Sequence, residues 1–112
     1  MSSAGPPTML PGVRVCPVAD ALDVVGDRWS LLILREVGFG VHRFNDIQRH
    51  TGAPRDRLST RLRKLEEQGV LERRPYQEHP RRYEYLLTAK GQALAPVIEA
   101  LKDWGARHTP SA

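Results

Sequence analysis

A chain of 112 residues with 40% hydrophobic and 27% charged residues can hold one modest core, since a single domain usually takes about 100–150 residues. No apolar run approaches the roughly 18 residues of a membrane helix, and the Ser/Gly/Pro-rich start lacks an export leader, so a cytoplasmic protein is expected. The net charge of +4 is unevenly placed: residues 42–82 carry eleven Lys/Arg against six Asp/Glu, a surplus of +5. A basic middle between near-neutral ends is the pattern of a surface that meets a polyanion.

Residues 1–14, with Pro6, Pro7 and Pro11 and no hydrophobic period, read as a flexible N-terminal arm. Pro17 suits the first turn of a helix, and Val18, Leu22 and Val25 recur at helical spacing before Gly26 ends it. Asp27 is placed to cap a second helix over Arg28–Val37, whose stripe of Trp29, Leu32, Ile33 and Val37 predicts core. A short third helix over Phe44–His50 stops at Gly52. Pro54 then opens a fourth, to about Gln68, with Leu58, Leu62 and Leu65 on one face and Gly69 after it. Two helices joined by a short glycine-containing turn make a helix-turn-helix unit.

Beyond Gly69 the hydrophobic period shortens toward two. Leu71–Tyr76 and Arg82–Leu87 read as strands around a Gln77–Arg81 turn, a β-hairpin wing. Thr88 is placed to cap a final helix, kinked near Pro96, with Leu94, Val97, Ile98, Leu101 and Trp104 as its apolar stripe. The fold class is therefore mainly α with a small β-hairpin, a dimeric winged helix-turn-helix. One domain is expected over residues 15–106, with a tail over 107–112.

In the fourth helix the leucines turn toward the core and leave Asp56, Thr60, Arg63 and Lys64 outward, flanked by Arg57 and Ser59. Arginine can bond two acceptors of guanine at once, short hydroxyls adapt to either partner, and further cations hold phosphate. The expected DNA-facing set is Arg43, Arg55, Asp56, Arg57, Ser59, Thr60, Arg61, Arg63 and Lys64, with Arg81 and Arg82 at the wing tip. Arg73 and Arg74 reach DNA or pair with Glu72 and Glu84 across the hairpin. The stripe of the last helix exceeds what one chain covers, so a homodimer is expected through Val18, Leu22, Leu94, Val97, Ile98, Leu101 and Trp104.

The segments CPVADALDVVGDRW (Cys16–Trp29), SLLILRE (Ser30–Glu36), RFNDIQRHTG (Arg43–Gly52), RLSTRLRKLEEQGVLERRPY (Arg57–Tyr76) and RYEYLLTAKG (Arg82–Gly91), in this order and spacing, resemble the HxlR-type winged helix-turn-helix regulators, a branch related to the MarR-like repressors. The resemblance spans Cys16 to Gly105 and implies an obligate homodimer on an inverted-repeat operator, with repression as the expected outcome. Two positions depart from the family pattern: Ala53–Pro54 stands where a serine often opens the recognition helix, and Leu86 where a small polar residue is common. Some members sense oxidants or electrophiles through a cysteine at the position of Cys16, where a helix N-terminus favours the thiolate. A buried packing thiol at the dimer interface is the plainer reading.

Other functions find less support. No nucleophile–base pair, carboxylate pair or phosphate loop is present, so no enzyme is expected. The single cysteine forms no internal disulfide, and His42, His50, His79 and His108 lack metal spacing, so neither metal nor cofactor is expected. Trp29 and Trp104 are expected in core packing, with an effector pocket between them as the alternative. A winged-helix module for protein contacts is the competing function, and it would show an acidic or apolar recognition face rather than a basic one.

Overall fold

Residues 14–110 and Gly12 are described by a computed structural model: among them are six helices and one two-stranded antiparallel sheet. The arm expected over 1–14 lies outside the described residues apart from Gly12 and Arg14.

Helix α1 (Pro17–Val25) begins at an extended Cys16, whose Sγ accepts the Ala19 N–H at 3.5 Å, and Pro17 occupies a position where its missing N–H is no loss. Only its C-terminal end is inside. Val25 is buried and Val24 packs on the core, while residues 17–23 are exposed. Asp27 caps the next segment as expected, although α2 (Ser30–Gly38) starts slightly later. Its carboxylate accepts the N–H groups of Trp29 and Ser30 at 2.9 and 3.0 Å and the Ser30 hydroxyl as well. Helix α3 (Phe44–Thr51) turns Ile47 inward and ends at Gly52, whose φ of 74° suits a residue without Cβ.

Helix α4 (Arg55–Glu67) buries Leu58, Leu62 and Leu65 against Ile33 and Leu34 of α2 and Ile47 of α3. Full burial of each such side chain stabilises by about 1.5–3 kcal/mol, and this three-helix core fixes how α4 faces outward. Strands β1 (Leu71–Glu78) and β2 (Arg81–Leu87) pair from Leu71↔Leu87 to Glu78↔Arg81. The turn shortens to His79–Pro80, tighter than expected, because β1 continues past Tyr76. Register shifts between Pro75 and Gln77, where proline offers no N–H, and Tyr76 is left over as the extra residue of a bulge. The Tyr85 N–H donates to the His42 carbonyl at 2.8 Å, tying the wing to the connection between α2 and α3.

The expected single kinked helix at the end is instead two. Thr88 does cap, its Oγ1 accepting the Gly91 N–H at 3.1 Å, but α5 (Ala89–Gln92) stops and α6 (Ala95–His108) restarts with Pro96 in its first turn. A proline there breaks no hydrogen bond, so the chain bends before it rather than kinking at it. Helix α6 also runs past residue 106 to His108. Trp29 packs against the core as expected, whereas Trp104 is 59% exposed, its ring 5.3 Å from that of His108.

Candidate nucleic-acid interface

The connection between α3 and α4 is held by side chains. Thr51 Oγ1 donates to the Ile47 carbonyl at 2.8 Å and accepts the Ala53 N–H at 3.3 Å, while Gln48 Nε2 donates to the Ala53 carbonyl at 3.3 Å. With the leucines buried, Asp56, Arg57, Ser59, Thr60 and Arg63 form the exposed face of α4. Thr60 Oγ1 donates to the Asp56 carbonyl at 2.9 Å, which leaves its lone pairs outward as acceptors. Asp56 lies in the first turn, where the helix dipole favours a carboxylate. No side chain caps α4: Pro54 takes the capping position and Ala53 is buried.

Two other expected contacts are exposed but occupied. Arg55 Nη1 donates to Asn45 Oδ1 at 3.1 Å and to Gln48 Oε1 at 3.4 Å, with its guanidinium 4.8 Å above the Phe44 ring, so it fastens α4 to α3. The Arg43 guanidinium lies 4.0 Å above the Tyr76 ring and joins the start of α3 to the bulge of the wing. Sequence reasoning missed these partners, because nothing local marks Asn45, Gln48 or Tyr76 as their ligands.

Arg61 and Lys64, expected on the DNA-facing side, are turned elsewhere. Arg61 stands only about 60° from the leucine axis at 100° per residue, and its Nε lies 3.6 Å from Asp27 Oδ2. Lys64 Nζ donates to the Asp23 carbonyl at 2.7 Å. Burial pushes the Asp27 carboxyl up, but the Ser30 hydroxyl, the N–H groups of Trp29 and Ser30 and the Arg61 guanidinium outweigh it and hold that carboxyl below the usual aspartate value.

On the wing, Arg81 Nη2 donates to Glu78 Oε1 at 2.6 Å and Arg82 is exposed beside it. Arg74 stands opposite Glu84 yet pairs with Glu72 on its own strand at 3.5 Å. Arg73 stacks 4.1 Å from the Tyr83 ring and reaches back to Glu66 of α4 at 3.9 Å. Burial pushes the neighbouring Tyr85 phenol up.

Away from this face, Cys16 is half-buried at the start of α1. Of the residues expected at a dimer contact, Leu94 and Ile98 pack on their own core, whereas Val18, Leu22, Val97, Leu101 and Trp104 are exposed. Beside Leu101 runs an apolar groove of about 530 Å³ between α2 and the last two helices, with the 74% exposed Phe39 on its rim. Sequence patterning passed over Phe39 because it follows α2 and belongs to no periodic stripe. Among the described residues no group of His, Cys, Asp or Glu could hold a metal ion, and no helix is long and apolar enough to cross a membrane.

Residues 24–112 match the model of the HxlR-like helix-turn-helix family. The chain is 50% identical over 93 residues to an uncharacterized HTH-type transcriptional regulator of Mycobacterium bovis, covering 83% of this chain and 59% of that protein's length. A crystal structure of PA1607, a candidate transcription factor, superposes with a TM-score of 0.79 at 43% identity, covering 86% of this chain and 67% of the other. The oxidized form of the redox regulator HypR superposes with a TM-score of 0.76 at 33% identity, covering 86% of this chain and all of HypR's.

Proposed function

Because the chain belongs to the HxlR-like helix-turn-helix family, we propose that it is a cytoplasmic, non-enzymatic transcriptional regulator that binds duplex DNA as a homodimer and represses from an inverted-repeat operator. The observation that carries this reading is the outward face of α4, where Arg57, Ser59, Thr60 and Arg63 are exposed on a helix whose other side is locked into the core. That combination of bidentate donor and short hydroxyls suits base edges in the major groove, and Arg81 and Arg82 of the wing suit the flanking phosphates. A twofold dimer places two copies of α4 about 34 Å apart, one turn of the duplex. The exposed apolar residues of α1 and α6 support such a dimer.

Cys16 is the proposed signal input, through oxidation or an electrophile, with a small-molecule effector as the other route. Its place at the N-terminus of α1 supports this, as does the likeness to the redox regulator HypR. With one cysteine per chain, a disulfide would need the other subunit's Cys16 or a small thiol.

The test is a binding titration on a duplex enriched by the protein from a randomised pool, beside a scrambled control. Arg57→Ala and Thr60→Ala are each expected to weaken the enriched duplex by about 1–3 kcal/mol while changing the control much less. Equal losses on both duplexes refute base readout by this face.

A further inference from the structure

The two basic side chains of α4 that leave its exposed face meet the corner between α1 and α2. Lys64 donates to the carbonyl of Asp23, in the last turn of α1, where carbonyls lack a partner within the helix and the dipole favours a cation. One turn earlier on α4, Arg61 pairs with Asp27 at 3.6 Å, both side chains mostly buried. The same carboxylate is fixed by the N–H groups of Trp29 and Ser30, so Arg61 is fastened to the beginning of α2. Between the two attachments lies Gly26, where an added Cβ would sit 2.3 Å from the Leu22 carbonyl oxygen. The corner is therefore tight, and beyond it α1 enters the core only through Val24 and Val25.

We infer that Arg61 and Lys64 are positioning residues that fasten the recognition helix to the corner from which α1 departs, so that the placement of α1 in the dimer sets the angle of α4 on DNA. Neither side chain touches nucleic acid. The inference rests on the DNA-binding reading above and makes a different prediction from it for two cations of the same helix. A phosphate ligand contributes to counterion release, and its loss lowers the slope of log affinity against log salt by about 0.9. A positioning residue lowers affinity and leaves that slope alone.

The probe is the duplex that the wild-type protein enriches from a randomised pool, titrated between about 50 and 200 mM salt. The proteins are wild type, Arg61→Gln, Asp27→Asn, the Asp27→Asn/Arg61→Gln double variant and Lys64→Met. Each single variant is expected to bind about tenfold more weakly, with the double variant no weaker than either of its parents because all three lack the same pair. The salt slope is expected to stay at the wild-type value. A slope reduced by about 0.9 in Arg61→Gln or Lys64→Met, with Asp27→Asn binding like wild type, overturns the assignment, because the side chain is then a phosphate ligand. Wild-type affinity throughout overturns it as well. Lys64→Met removes a contact at the surface and keeps its aliphatic stem, so it decides the matter alone if circular dichroism shows the Asp27 and Arg61 variants unfolded. A wild-type protein that enriches no duplex refutes the DNA-binding reading itself, and the inference falls with it.

Discussion

Leu101→Ala tests the proposed dimer at a single side chain. Leu101 is 51% exposed in the isolated chain and stands on α6 near the equally uncovered Val97 and Trp104. Full burial of a leucine side chain is worth about 2 kcal/mol, so about 1 kcal/mol remains to be gained per copy when a second chain covers it. Twofold symmetry counts this twice. Truncation should then weaken association by about 2 kcal/mol, close to thirtyfold in the dissociation constant. Sedimentation equilibrium over a dilution series reads that constant directly, and circular dichroism at high concentration checks that the subunit stays folded. An unchanged constant would refute the reasoning, because a residue half-covered by its own chain and truncated without effect on association is not in the contact. Leu94→Ala separates the two roles of the stripe: it packs on its own core, so its loss should lower the melting temperature before it alters assembly.

Three other outcomes are expected. Removing both wing cations, Arg81→Ala with Arg82→Ala, should weaken DNA binding and lower the salt slope by roughly 1–2, and an unchanged slope in the titration excludes the wing from phosphate contact. Diamide or quinone treatment should alter duplex affinity of the wild type and leave Cys16→Ser unaffected, whereas matching responses dismiss Cys16 as the input. The Asp27 carboxyl is held low in the folded chain, so its stabilising effect is complete above the unfolded value of about 3.9 and is lost as pH falls through the lower folded value. Asp27→Asn should therefore flatten the dependence of stability on pH below about pH 4 in denaturant unfolding, and a variant with the wild-type slope there would contradict the assignment.

The helices and the wing could be read from the sequence where one local signal dominated. Leucine spacing placed α4, Gly52 placed the end of α3, and Thr88 and Asp27 acted as caps, because each of these is a contact within a few residues of chain. The differences arose where a longer-range partner decided. Lys64 stands outward on a helical wheel, yet its ammonium reaches the Asp23 carbonyl of the preceding corner, and Arg61 meets Asp27 there. Arg61, at the edge of the leucine face, carried a hint in its angle alone. Trp104 is exposed since apolar periodicity marks a face to be covered and does not say by which chain. Pro96 is ambiguous in the sequence, because a proline in the first turn of a new helix and a proline inside a kinked one leave the same trace in hydrophobic spacing.

Helix α1 is nine residues long and rests on the body of the molecule only at its end. Helices of that length are marginal in water when isolated, since nucleation outweighs the few hydrogen bonds gained. On the proposed dimer reading, an unpaired subunit has α1 as its readiest segment to open, to proteases and to amide exchange. In the proposed homodimer, pairing and the ordering of that helix are linked, so its protection from proteolysis should rise with protein concentration.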